Sequence, residues 1–180
     1  CYSPWRYDAN YQRNLTLLRR AVVLNPDAPM SHAWLARELL RVNKPDEAMR
    51  EAMLAWSATK AAIARGEHPS IILPASLLTF LMLERGEAKK ALAIVNQAIT
   101  MGGDHPNLDL LLATALDCTD KLPQAEQAAR RCLERDSVLY TTEVMPGACS
   151  WAAMSLLGSI RLKQDDITDA IHWFRSALQD

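Results

Sequence analysis

At 180 residues the chain can form one ordinary domain or one short repeat array; with 49% hydrophobic residues and a formal net charge of -1 it can bury a core but lacks the basic excess of a nucleic-acid binder. Six Gly and two Phe stand against abundant Ala and Leu, a mix that favours helix over sheet. The longest apolar stretch, Ile71 to Leu83, is interrupted by Pro74, Ser76 and Thr79 and is too short to span a bilayer, so no membrane partner is expected.

In chain order, residues 1–9 read as an N-terminal linker holding Tyr2, Trp5 and Tyr7. A first helix at about 10–25 carries Asn14, Leu18 and Ala21 and closes at Asn25-Pro26. Helix 29–42 opens on Pro29 and carries Leu35, Ala36 and Leu39. Pro45 opens helix 45–65, where Asp46 and Glu47 meet the positive end of the helix dipole and Ala48, Ala52 and Ala55 follow. Its insert, Ser57 to Glu67 (SATKAAIARGE), has no breaker before Gly66, so this helix is expected to run past Lys60 and to be the longest. Helix 71–85 carries Leu78, Thr79 and Met82, and helix 87–101 carries Ala91, Val95 and Ala98. Helix 106–118, opened by Pro106, carries Leu112, Ala113 and Leu116, and helix 122–135 carries Ala125, Ala129 and Cys132. The second insert, Ser137 to Gly147 (SVLYTTEVMPG), is β-branched and ends in Pro-Gly; it reads as a loop, non-helical and mobile over Val138 to Pro146. Helix 148–163 carries Leu157, Gly158 and Arg161, and helix 166–179 carries Ala170, Phe174 and Ala177. Turns fall at Asn43-Lys44, Gly86, Asp120 and Asp165.

The triplets share a spacing of four then three, which puts each on one helical face where small residues admit a neighbouring helix. Ala21 to Ala55 spans 34 residues, and so does Ala91 to Ala125. Ala48 to Ala91 spans 43 and Ala125 to Ala170 spans 45, longer by the two inserts near 57–67 and 137–147. The pattern is one lone helix followed by four helix pairs over 10–180.

Across Asn10 to Leu178 this pattern resembles the tetratricopeptide repeat (TPR) family, whose unit is a helix–turn–helix of 34 residues. His32 stands where that family often has Trp, and Ser137 where Pro26 would recur. The resemblance implies an all-α, right-handed helical solenoid of about nine antiparallel helices, binding a protein or peptide in its concave groove. A narrower resemblance runs through Tyr7 to Leu18, Leu24-Asn25-Pro26-Asp27 and Leu35-Ala36-Arg37-Glu38-Leu39. This stretch is similar to the region after the catalytic domain of bacterial family 2 glycosyltransferases with TPR tails. It implies a cytoplasmic protein with a nucleotide-sugar enzyme ahead of Cys1; the alternative is a free-standing scaffold.

No phosphate-binding Gly loop, H-E-x-x-H or G-x-S-x-G motif occurs, so the chain is expected to be no enzyme itself and to need no cofactor or metal. Cys1, Cys118, Cys132 and Cys149 form no C-x-x-C pair and read as buried or semi-buried thiols. His32, His68, His105 and His172 are scattered singly and read as surface or helix-end residues, and Asp165, Asp166 and Asp169 read as a capping cluster. In the TPR resemblance the first helix of each pair lines the groove. The positions facing away from the Ala surface are Arg37 and Arg41; Ser76, Phe80 and Leu83; Leu110, Thr114 and Asp117; Ser155, Ser159 and Lys163. They either grip an extended peptide or helix or form a solvated inner surface, and Arg37 and Arg41 either meet a ligand anion or pair with Glu38 or Glu84. The two-carboxylate clamp of chaperone-binding TPR domains is disfavoured, because its places hold Ala33, Arg37 and Leu77. Ile171, Trp173, Phe174 and Leu178 give the last helix an apolar face, expected to pair with another copy as a homodimer.

Overall fold

The computed structural model describes residues 4–140 and 144–179; the side chains of residues 4–10 and of Ser137 lie outside the described set, and with them the expectations placed on Cys1, Tyr2, Trp5 and Tyr7. Nine α-helices follow one another among the described residues, with no strand: α1 (Pro4–Leu24), α2 (Pro29–Arg41), α3 (Pro45–Ala64), α4 (Ile72–Glu84), α5 (Ala88–Thr100), α6 (Pro106–Asp117), α7 (Leu122–Leu133), α8 (Trp151–Lys163) and α9 (Ile167–Gln179). The chain divides into two compact units, Cys1–Leu81 and Met82–Asp180. In the first, α2 packs against α1 and α3; in the second, α6 packs against α5 and α7, and α8 against α7 and α9.

Local chemistry sets the helix ends. Proline stands in the first turn of α2, α3, α6 and α7, where its missing N–H removes no helical hydrogen bond. Six helices end on a residue with positive φ: Asn43, Gly66, Gly86, Gly102, Asp120 and Asp165. After each, the next N–H reaches back five residues, as from Lys44 to the Leu39 carbonyl at 2.9 Å and from Asp166 to the Arg161 carbonyl at 3.0 Å. This is a Schellman closure, which satisfies carbonyls that the helix end leaves unpaired. Asn and Asp fill three of the six places because their short polar side chains tolerate the left-handed region.

The small-residue triplets are the crossing points. Ala48, Ala52 and Ala55, then Ala91, Val95 and Ala98, then Ala125, Ala129 and Cys132 are all fully buried. In the fourth triplet only Ala170 is buried. The α1 copy departs further: Leu15 is the buried residue, Leu18 and Ala21 are half-buried, and Asn14 is exposed.

Several expectations need correction. α1 starts at Pro4, inside the stretch read as a linker, because proline is well placed at a first helical position and no breaker follows before Leu24. With 21 residues it exceeds α3, which runs past Lys60 but has 20. The second insert is not wholly irregular: Ser137–Leu139 form a 3-10 turn. There Asp136 accepts hydrogen bonds from the Val138 N–H through its carboxylate and from the Leu139 N–H through its carbonyl. α8 starts at Trp151 rather than 148, because Gly147 takes a φ of 72° and Ser150, the residue before the helix, has a non-helical backbone with φ -151° and ψ -117°.

Candidate protein-interaction surface

In the first unit the residues of interest lie on α2. Trp34, Arg37 and Arg41 follow a three-then-four spacing and share one helical face. The Arg37 guanidinium lies 4.0 Å from the centre of the exposed Trp34 ring, and the Arg41 guanidinium is 6.0 Å from that of Tyr11 on α1. Both arginines also meet Glu38, whose carboxylate is buried: Arg41 donates to Glu38 Oε1 at 2.8 Å, and Arg37 Nη2 is 3.7 Å from the same oxygen. Glu38 Oε2 is buried with no hydrogen-bond partner among the described residues. One carboxylate thus faces two guanidinium groups. Of the two fates read for these arginines, pairing with Glu38 is realised here. Also in this unit, Ser76 is buried with its hydroxyl unpaired among the described residues, and Phe80 is half-buried.

In the second unit the groove positions mostly satisfy themselves. The Thr114 hydroxyl donates to the Leu110 carbonyl at 2.8 Å, and the Ser159 hydroxyl to the Ser155 carbonyl at 3.1 Å. Asp117, on α6, is buried and accepts from Lys163 of α8 at 2.8 Å, so two positions read separately from the sequence join in one ion pair.

A denser network had no signal in the repeat pattern. Asp109 of α6, buried, accepts from Arg131 at 3.0 Å and from Arg135 at 2.6 Å. Arg135 also reaches Asp104 at 2.5 Å and the Tyr140 hydroxyl at 2.6 Å. Burial pulls the Arg135 pKa down, but hydrogen bonds to Asp104 and Tyr140 and the Asp109 charge outweigh it and hold the group above its ordinary value. The Met145 N–H donates to Asn107 Oδ1 at 2.7 Å, which ties the second insert to the start of α6. A visible clue was the four-residue spacing of Arg131, in the last turn of α7, and Arg135, two residues past its end; the acid they share lies 22 and 26 residues earlier.

Two of the histidines read as surface or helix-end residues stand at helix starts and are buried. His32 is buried, bridging Glu51 at 2.7 Å and the Pro26 carbonyl at 2.9 Å, so it ties the start of α2 to its neighbours. His105 is at a helix end, as read, but is buried and caps α6 by accepting from the Asn107 N–H at 3.2 Å. Cys118 is exposed, against expectation, because it follows the last turn of α6; Cys132 is buried and Cys149 half-buried. Asp166 accepts from the Asp169 N–H at 3.1 Å, which caps α9. Among the described residues no cluster of three metal-binding side chains occurs, and no helix is long and apolar enough to cross a membrane.

No family model matches the chain, and no curated protein matches it. Solved structures do. The chain is similar to MamA from Desulfovibrio magneticus RS-1, with a TM-score of 0.68 at 15% identity over 94% of this chain and 84% of that one. It is similar to YrrB, a TPR protein described as having an unusual peptide-binding site, with a TM-score of 0.67 at 15% identity over 97% and 79%. It is also similar to TTC0263, a TPR protein of Thermus thermophilus, with a TM-score of 0.62 at 21% identity over 97% and 85%. At these identities the likeness establishes the fold: an all-α, TPR-like helical solenoid.

Proposed function

We propose that this chain is a protein-interaction module that holds an acidic or C-terminal segment of a protein partner against the α2 face. The observation that carries this reading is the Trp34–Arg37–Arg41 surface, where two guanidinium groups share one buried carboxylate beside an exposed indole. A ligand carboxylate would meet the guanidinium groups through charge-assisted hydrogen bonds, each contributing about 1.5–3 kcal/mol if desolvated and far less if exposed. Phe80 and Ser76 of α4 are further candidate contacts in the first unit. In the second unit the Thr114, Asp117 and Ser159 side chains and the Ser155 carbonyl already bond within that unit, so they are not offered as anchors. The test is a fluorescent peptide ending in Asp-Glu-Glu with a free carboxylate, titrated against the chain and against Arg37→Gln with Arg41→Gln. Binding should weaken about tenfold or more in the double variant, with the melting temperature little changed. Equal binding, or loss of stability alone, makes the arginines structural.

The wider setting in this proposal is a bacterial, cytoplasmic protein in which the module follows a family 2 glycosyltransferase domain and positions its acceptor. It rests on the stretch from Tyr7 to Leu39 alone. The parent gene's sequence ahead of Cys1 tests it: an Asp-x-Asp-bearing catalytic domain there supports the tail, and any other sequence favours the free-standing adaptor.

A further inference from the structure

Ala91, Ala125 and Ala170 mark equivalent places on α5, α7 and α9, so each side chain between α5 and α7 has a counterpart between α7 and α9. The α7–α9 gap is closed by side chains. Arg161 of α8 bonds Glu126 of α7, and its Nε lies 2.8 Å from Asp169 Oδ2 of α9. The half-buried Trp173 of α9 donates its indole N–H to the same Asp169 oxygen at 3.3 Å, and the Arg130 guanidinium of α7 lies 5.4 Å from its ring centre. Counted back by the repeat spacing of 34 or 45 residues, the counterparts of Glu126, Arg130, Arg161, Asp169 and Trp173 are Leu92, Asn96, Leu116, Gln124 and Ala128. All five line a cavity of about 270 Å³ between α5 and α7, with Leu112 and Leu116 of α6 beneath it. Leucine for arginine and alanine for tryptophan remove the bulk that closes the next gap, so this one stays open although α5, α6 and α7 are all in place.

The comparison also states what fits. An inserted cation would find no acid, because Glu126 and Asp169 are replaced by Leu92 and Gln124. An indole would find what Trp173 has: a free place over Ala128, apolar contact from Leu92 and Leu116, and at the exposed Gln124 a carboxamide oxygen where Asp169 accepts the Trp173 N–H. The space lies under the about 300–1,000 Å³ of small-molecule sites and suits one large side chain. The charged residues that line it are both cations, Lys121 and Arg131, which favours acidic flanks. Among the described residues the exposed large aromatics, Trp34, Trp151 and Phe174, have no acid as a chain neighbour, so they do not supply such a segment from a second copy. We propose that the α5–α7 groove is a second docking site, independent of the α2 face, for a tryptophan carried on an acidic segment of a partner protein. Its indole takes the place over Ala128 that Trp173 fills one repeat later and donates its N–H to Gln124.

The probe is a fluorescein-labelled peptide Gly-Asp-Glu-Trp-Glu-Asp-Gly, amidated at its C-terminus, titrated with the whole chain by anisotropy beside the same peptide with alanine for tryptophan. The tryptophan peptide should bind about tenfold tighter or more. Ala128→Trp places an indole of the chain in the groove and should remove that preference while circular dichroism stays unchanged. Lys121→Glu with Gln124→Glu, both at exposed positions, tests the groove without touching a buried residue and should weaken the tryptophan peptide about tenfold. Arg37→Gln with Arg41→Gln should leave the tryptophan preference as it was, which separates this site from the α2 face. The proposal is overturned if the tryptophan peptide fails to bind at about 1 mM, if both peptides bind alike, or if the preference survives either groove variant. It is also overturned if light scattering finds a dimer that Lys121→Glu with Gln124→Glu dissolves, since a second copy would then fill the groove.

Discussion

Phe174 occupies a place that the other repeats of the second unit give to Val95 and Ala129, and Gly158 on α8 is what admits it. A Cβ built on Gly158 would lie 2.8 to 2.9 Å from three atoms of the Phe174 ring. The equivalent crossing of α6 with α7 uses Ala113 and Ala129, both fully buried. Gly158→Ala gains about 1 kcal/mol of helix propensity but overpacks the crossing, at a cost of about 1–3 kcal/mol. Urea unfolding should show no net gain and more often a loss of about 1 kcal/mol. Adding Phe174→Ala reproduces the α6–α7 pair and should return the helix-propensity gain; if Gly158→Ala alone stabilises, the ring moves aside freely and the contact is not restrictive. Cys132 supplies a pH dependence. Burial first, then the charge of Asp109 and the neighbouring Cys149, push its thiol from 9.0 up to about 12. Below pH 9 both folded and unfolded chains keep this proton, so the contribution is fully present. Above it the unfolded chain loses the proton first, and stability falls as pH rises through this window. Cys132→Ala, which suits the small-residue position, should flatten that alkaline slope in denaturation measured from pH 8 to 11; an unchanged slope assigns it to other groups.

α6 carries several long-range polar ties, because its first turn meets the end of α7 and the second insert together. Asp109 is central there: its removal leaves Arg131 and Arg135 without their common acid. Breaking a buried pair by deleting one partner costs about 3–5 kcal/mol; half-exposure of Arg131 lowers that figure, so Asp109→Ala should destabilise by about 2–4 kcal/mol in thermal or urea unfolding. A change below about 0.5 kcal/mol would mean the network orders side chains without stabilising the hairpin. None of this was visible in the repeat, which places Asp109 on a helix that reads as simply apolar. By contrast the helix ends were legible one by one. Asn43, Gly86, Asp120 and Asp165 stand where the sequence put the turns, and each takes the left-handed backbone that a Schellman closure needs.

For the molecule as a whole, the amino-acid order determined whatever depends on neighbours within about one turn: helix starts at proline, closures at Gly, Asn or Asp, and the small-residue face that recurs with the repeat. From those alone follow the nine helices among the described residues and the TPR-like class. Tertiary structure decided which charges meet. Glu38 gathers Arg37 and Arg41, Asp117 finds Lys163 across 46 residues, and Asp109 finds Arg135 across 26. Periodicity names the face a side chain leaves from, but long side chains choose among several partners according to how the helices cross. The same holds for apolar side chains. Leu133 and Leu178 have the same repeat position and the same side chain, but the packing of α8 on α7 half-buries Leu133 against an apolar cluster while Leu178 is exposed.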